Sequence, residues 1–124
     1  AVVLYRDKLP KFNNGRETDP ETGKPIRGTG KMVFDWFAWE RDGKEIPKIH
    51  PTQKPVKVLM RLIEIFTDPG DVVIDPCCGS GSTLRAARDT GRSAYGFEID
   101  RRFYERAKME MLSEDRTLFN LEGA

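Results

Sequence analysis

The chain has 124 residues, 38% of them hydrophobic, a composition that suits one domain with one apolar core. No apolar run approaches the roughly 20 residues that a membrane-spanning helix needs, and no secretory signal peptide opens the sequence. The formal net charge of +1 is too balanced to indicate a nucleic-acid partner by itself. These properties favour a cytoplasmic protein without a membrane partner.

The first part of the chain is predicted to contain little regular structure. Residues 1–5 (AVVLY) are predicted to form a short buried strand. Residues 8–31 are polar and rich in turn residues, and we expect them to form a long mobile loop. Residues 32–40 hold four aromatic side chains, which favour a strand or short helix packed over a core. Stacking of these rings on a nucleobase is the alternative.

The second part of the chain is predicted to alternate helices and strands. The segments are a helix from Pro55 to about Thr67, a strand at 72–75, a helix from about Thr83 to Thr90, a strand at 93–97, and a helix from the cap residue Asp100 to about Ser113. Parallel strands joined by crossover helices need both faces covered. The pattern therefore predicts an α/β domain with a mostly parallel sheet in a three-layer arrangement.

A glycine-containing loop, Asp75-Pro-Cys-Cys-Gly-Ser-Gly-Ser-Thr83, joins the first of these strands to the next helix. Its glycines would let a ligand lie against bare backbone amides at the helix start. Glu98 follows Gly79 after 19 positions, near the offset of about 20 at which a carboxylate binds ribose hydroxyls in nucleoside-binding βαβ units. The spacing predicts a nucleoside-containing cofactor.

The residues around this loop favour S-adenosylmethionine among such cofactors. Leu84 stands where a dinucleotide-binding loop has its third glycine, and no lysine occurs between Lys57 and Lys108 to form a phosphate-binding Gly-Lys-Ser/Thr motif. Asp75 would repel a pyrophosphate but attract an ammonium or sulfonium group. S-adenosylmethionine carries both cations and no phosphate. Another nucleoside or nucleotide enzyme stays as an alternative.

The two cysteines, Cys77 and Cys78, are adjacent in this loop. Adjacent cysteines are not expected to bridge each other, because the closed ring is strained. His50 is the single histidine and no second cysteine pair exists, so we expect no metal. The pattern indicates that both cysteines are small residues that pack within the loop, in a protein of the reducing cytoplasm.

Three segments together resemble the β-group of amino DNA methyltransferases, the N6-adenine and N4-cytosine enzymes of restriction and phage systems. They are His50-Pro-Thr-Gln-Lys-Pro55, the 75–83 loop, and Gly96-Phe-Glu-Ile-Asp-Arg-Arg-Phe-Tyr104, in that family's permuted motif order. The resemblance implies a partial Rossmann-like, S-adenosylmethionine-dependent methyltransferase fold. It implies one partial domain over residues 1–124, with the cofactor-binding core at residues 50–113. It also implies double-stranded DNA as the partner, bound through the full-length protein or a complementing chain.

The resemblance assigns roles to individual residues as well. Asp75, the loop residues Cys77, Cys78, Gly79, Ser80 and Gly81, and Thr83 after them would hold the methionine and adenosine parts of the cofactor. Glu98 would accept hydrogen bonds from both ribose hydroxyls, while Thr52 and Lys54 would reach the methionine carboxylate. The alternatives are a packed turn residue for His50, a solvated helix-start lysine for Lys54, and a solvent-exposed strand end for Glu98.

The chain departs from the family pattern in two ways. Cys77 replaces the usual phenylalanine of the loop, and Ser82 replaces a usual threonine. The family's catalytic loop, Asp/Asn/Ser-Pro-Pro-aromatic, is absent, because none of the Asp-Pro pairs at Asp19, Asp68 and Asp75 is followed by a second proline. We therefore expect no catalytic residue here and an inactive, cofactor-binding part of a methyltransferase. The alternative is a non-catalytic DNA-binding or scaffold remnant of a methylase.

Overall fold

A computed structural model describes residues 12–113 of the protein, except Asp35, Phe37 and Trp39. The elements are α1 (Val56–Phe66), β1 (Val72–Asp75), α2 (Ser82–Asp89), β2 (Ser93–Gly96) and α3 (Arg101–Arg106), which continues into a π-helical turn at Ala107–Met111. This order confirms the predicted alternation of helices and strands. The strand predicted at residues 1–5 lies outside the described residues. In the part of the chain that is described, no helix is both long and apolar enough to cross a membrane.

Helix α1 is held at both ends by side chains from the preceding part of the chain. At its start the Val56 amide donates to the Asp42 carboxylate over 2.8 Å. At its end the Asn13 side-chain amide donates to the carbonyl oxygens of Glu64 (3.1 Å) and Thr67 (2.8 Å). These bonds satisfy helix-end groups that have no partner inside the helix. Described residues that precede α1 are thereby bonded to the α/β part of the chain.

The two strands pair in parallel, from Val72 opposite Ser93 to Asp75 opposite Gly96. Helix α2 forms the crossover and packs on one face of the sheet, and α1 packs against α2. The buried side chains of this core are Val56, Ile63, Ala86 and Ala87. Parallel pairing brings the carboxyl ends of both strands to one edge, where open α/β sheets bind their ligands. The loops after β1 and after β2 therefore lie side by side.

The other face of the sheet is apolar and exposed. Val72 and Ile74 of β1, with Tyr95 and Phe97 at and just after β2, are each between 55% and 65% exposed. They alternate with the inward-facing residues, as the two-residue period of a strand dictates. Within the described residues, helices cover one face of this sheet, so the third layer of the predicted arrangement is not contributed by them.

Residues 12–31 contain no regular helix or strand, as predicted for a loop, but they are bonded internally. An isolated antiparallel bridge joins Thr18 to Pro25, and the Asp19 amide donates to the Lys24 carbonyl over 2.9 Å. The amide of Asn13 anchors the start of the segment to the Ile65 carbonyl over 2.6 Å. The mobility of this loop stays a prediction.

The prediction of a strand or short helix over a core at residues 32–40 is wrong for the residues that are described there. They form no regular element. Phe34 is 58% exposed and Trp36 70% exposed, and their rings contact each other at 6.2 Å between centroids. Aromatic content indicates only a need for burial, and no described apolar surface covers these rings. Phe37 and Trp39 lie outside the described residues.

Candidate functional site

A cavity of about 290 Å³ opens where β1 and β2 end. Nine of the ten residues predicted to bind a cofactor line it, namely Thr52, Lys54, Asp75, Cys77, Cys78, Gly79, Ser80, Thr83 and Glu98. The tenth, Gly81, is buried behind the loop and precedes α2 with a φ of 78°. A Cβ atom there would lie 3.3 Å from the Ala107 Cβ, so glycine suits both the backbone and the space. Residues distant in sequence thus meet at the predicted site.

Glu98 is the centre of this arrangement. Its Oε2 accepts a hydrogen bond from the Gly79 amide, and its Oε1 accepts one from the Asp100 amide, each over 2.8 Å. Glu98 therefore does not merely end a strand in solvent. A carboxylate offers about four lone-pair sites, so each oxygen keeps one site for a further donor. The fixed geometry suits a ligand that presents two neighbouring hydroxyl groups.

The backbone amides of the loop are mostly used within the protein. The Cys77 amide donates to the Asp75 carboxylate (3.0 Å), the Cys78 amide to the Phe97 carbonyl (2.9 Å), and the Gly81 amide to the Cys78 carbonyl (2.8 Å). With Gly79 bonded to Glu98, the expectation of bare amides for a ligand is wrong at these four positions. A phosphate needs such amides. The loop instead presents carboxylates, which favour a cationic or hydroxyl-bearing ligand.

The two cysteine thiols are free and differ in their surroundings. Cys77 is exposed at the cavity mouth, whereas Cys78 lies against Gly96. Burial raises the pKa of the Cys78 thiol, and the Asp75 and Glu98 carboxylates raise it further. Among the described residues, no group of three or more acidic, histidine or cysteine side chains is placed to hold a metal ion.

The 47–55 segment forms the opposite wall through a network of hydrogen bonds. The Gln53 side chain donates to the Pro47 carbonyl (2.9 Å) and accepts from the Ile49 amide (3.0 Å). Arg106 from α3 donates to the Ile49 carbonyl over 3.2 Å. This network places Thr52 and Lys54 at the cavity. The sequence analysis did not assign the further lining residues His50, Gln53, Leu59 and Ser82, although the HPTQKP motif contains two of them.

A second, more apolar cavity of about 600 Å³ lies beside the first and shares Cys77 and Glu98 with it. Its other walls come from Pro76, Gly96, Phe97, Ile99 and Tyr104. Sequence reasoning missed this cavity. The alternation of side chains after β2, with Phe97 and Ile99 on one side and Glu98 on the other, could have predicted an apolar wall next to Glu98. A flat apolar group attached to a diol bound by Glu98 would fit here.

The fold around these cavities is that of S-adenosylmethionine-dependent methyltransferases. The structure is similar to the crystal structure of the M1.HpyAVI–SAM complex, with a TM-score of 0.61 and 29% identity, covering 83% of this chain and 44% of that one. It is also similar to PvuII DNA methyltransferase, which is cytosine-N4-specific, with a TM-score of 0.52 and 25% identity, covering 61% of this chain and 29% of that one.

The sequence profile of the DNA methylase family, which groups N6 and N4 methyltransferases, matches residues 8–109. The chain therefore belongs to this family, and the resemblance seen in its motifs is confirmed. Type II methyltransferase M.BglII of Bacillus subtilis is 33% identical over 97 residues, which are 77% of this chain and 26% of that protein. YubD of Escherichia coli (strain K12) is 37% identical over 71% of this chain and 37% of its own length. The chain thus spans about a third or less of these relatives.

Proposed function

We propose that this chain binds S-adenosylmethionine as the cofactor-binding part of a DNA methyltransferase acting on the exocyclic amine of adenine (N6) or cytosine (N4). The observation that carries the proposal is the single cavity shared by Thr52, Lys54, Asp75 and Glu98. Membership of the DNA methylase family supports the substrate class. A cytoplasmic restriction-modification or phage system is the setting that we propose for the full enzyme.

The chemistry of the cavity fits each part of this cofactor. Glu98 would accept hydrogen bonds from the two ribose hydroxyls through its remaining lone pairs. Asp75 would attract the ammonium group, and Thr52 and Lys54 would bind the methionine carboxylate. The adenine ring would enter the apolar cavity beside Ile99. Bound there, S-adenosylmethionine supplies an electrophilic methyl group, while the internally bonded loop amides disfavour a pyrophosphate-containing cofactor.

We further propose that methyl transfer requires polypeptide in addition to this chain. The sequence contains no Asp/Asn/Ser-Pro-Pro-aromatic segment to orient the target amine and stack a flipped base. The exposed face formed by Val72, Ile74, Tyr95 and Phe97 supports the proposal, because parallel sheets are normally covered on both faces. The remainder of a methyltransferase domain would cover this face, supply the catalytic loop and bind the double-stranded DNA.

Calorimetric titration of the full chain with S-adenosylhomocysteine tests cofactor binding. We expect saturable binding by the wild type and a loss of at least tenfold in affinity for Glu98→Ala, since the two ribose hydrogen bonds are each worth about 1 kcal/mol. Glu105→Ala is the matched control, because this exposed carboxylate on α3 lies outside both cavities. Silence at millimolar ligand, or equal binding by Glu98→Ala and wild type, would contradict the proposal.

Transfer of a tritiated methyl group to DNA tests the catalytic part of the proposal. We expect no incorporation by this chain alone. Incorporation above the level of a heat-denatured sample would show that the catalytic machinery is present, and would refute the requirement for further polypeptide.

A non-catalytic DNA-binding or scaffold role is the second candidate. The exposed contact between Phe34 and Trp36 favours it, since exposed aromatic rings can stack on bases. A gel shift that survives the double variant Asp75→Ala/Glu98→Ala and weakens steeply with salt would support this role. Loss of that shift in Trp36→Ala would connect it to the aromatic pair, and no shift at low salt would exclude it.

A further inference from the structure

His50, the single histidine of the chain, accepts hydrogen bonds inside the turn that carries Thr52. The Thr52 amide lies 3.2 Å from the imidazole Nδ1, and the Thr52 hydroxyl lies 3.0 Å from the same atom. A backbone amide can only donate, so Nδ1 must offer its lone pair and the ring proton must sit on Nε2. The geometry therefore defines the tautomer of His50.

The His50 ring is also fixed from its other side. Its centroid lies 4.5 Å from that of the Phe103 ring on α3, at an interplanar angle of 57°. The His50 carbonyl accepts the Gln53 amide over 3.2 Å, which closes the turn. Ring and turn are thus held together, and Thr52 is held where it lines the cavity with Asp75 and Glu98.

We propose that His50 is a positioning residue for cofactor binding, acting as a neutral Nε2–H imidazole that holds Thr52 in the cavity through Nδ1. This inference rests on the proposed function. Without the Nδ1 acceptor the Thr52 amide would lose its partner. The turn would then open, and the affinity for the cofactor would fall.

Two substitutions separate the acceptor of His50 from its ring. His50→Asn keeps an acceptor oxygen near the Nδ1 position but has no ring, whereas His50→Phe keeps a ring against Phe103 but has no acceptor. For S-adenosylhomocysteine we expect an affinity within about threefold of wild type for His50→Asn and about 5- to 10-fold weaker for His50→Phe, the range of one hydrogen bond. A histidine that serves only packing would show the opposite order. Wild-type affinity in His50→Phe, or tighter binding by His50→Phe than by His50→Asn, would overturn the inference.

Nitrogen NMR of histidine-labelled protein tests the inference without any ligand. The single histidine gives one pair of ring nitrogen signals, and we expect Nε2 protonated and Nδ1 unprotonated at pH 8. A protonated Nδ1 at pH 8 would overturn the inference. If the wild type fails to bind S-adenosylhomocysteine while these NMR signatures hold, the proposed function fails and the turn geometry stands.

Discussion

Gly96 is the position where the contact between α2, the loop and β2 can be tested most sharply. A Cβ atom at this residue would lie 2.6 Å from the Leu84 Cδ1 and 2.9 Å from both the Cβ and Sγ of Cys78. All three distances are well inside ordinary van der Waals contact. Gly96→Ala must therefore displace the helix or the loop. The end of the leucine side chain can move, but the Cys78 Cβ is attached to a backbone whose amide donates to the Phe97 carbonyl over 2.9 Å.

The expected loss of stability in Gly96→Ala follows from the difference between the mobile Leu84 side chain and the fixed Cys78. Overpacking of a core by one methyl group costs about 1–3 kcal/mol, and the fixed loop puts Gly96→Ala in the upper part of that range. At this chain length each kcal/mol lowers the melting temperature by roughly 3–6 °C. Affinity for S-adenosylhomocysteine should fall as well, because the displaced loop carries Gly79 and with it the hydrogen bond that fixes Glu98.

Urea unfolding followed by circular dichroism measures the effect. Ser93→Ala is the control, since this exposed β2 residue should change stability by less than about 0.5 kcal/mol. In a double-mutant cycle, Leu84→Ala removes the nearest atom, so its combination with Gly96→Ala should show a favourable coupling of about 0.5–2 kcal/mol. Equal stability of Gly96→Ala and wild type would refute the reasoning, whereas zero coupling to Leu84 would assign the whole cost to the contact with Cys78.

Three further predictions concern the edges of the fold and the thiols. Asn13→Ala removes the side-chain hydrogen bonds that hold the end of α1. We therefore expect the free energy of unfolding in urea to fall by about 1 kcal/mol and the amides at the end of α1 to exchange faster, and unchanged exchange would contradict this prediction. The side-chain and backbone hydrogen bonds from Arg102 lower the pKa of Asp100 below its usual 3.8. The ionised carboxylate therefore stabilises the folded state above that value, and this stabilisation is lost as the pH falls below it. Asp100→Asn, which can still cap α3, should flatten this acid loss in unfolding measured from about pH 5 to pH 2, and an unaltered profile would exclude the cap as its source. Burial first, and then the Asp75 carboxylate, raises the pKa of the Cys78 thiol. Iodoacetamide should therefore label Cys77, the exposed thiol that remains in Cys78→Ser, faster than Cys78, which remains in Cys77→Ser. Equal labelling rates of the two variants would contradict this.

Local patterns predicted a large part of the fold and of the site. The period of α1, the short apolar runs of β1 and β2, and the glycine turn between them depend on neighbours in sequence, and their bounds agree with the structure to within a few residues. The spacing between Gly79 and Glu98 predicted a nucleoside-binding site, and in the structure the Gly79 amide donates to the Glu98 carboxylate within the candidate cavity. These features were predictable because a strand, a tight turn and a crossover helix constrain where the next strand must end.

The expectations that failed depended on distant partners. Residues 32–40 have the composition of a buried element, yet Phe34 and Trp36 are exposed because nothing described packs on them. Leu84 stands where a dinucleotide-binding loop has its third glycine, the residue that allows a close helix–strand approach. The structure instead supplies the close approach through Gly96 on the other strand.

The sequence by itself determined the α/β order, the acidic and glycine residues of the loop, and membership of the DNA methylase family, since all three are written in short local motifs. Only the tertiary structure decided how the loop amides are used. Whether an amide faces a ligand depends on which carbonyl or carboxylate reaches it, and the Phe97 carbonyl and Glu98 carboxylate do so across the pairing of β1 with β2. That pairing turns a potential phosphate-binding loop into a site lined by carboxylates.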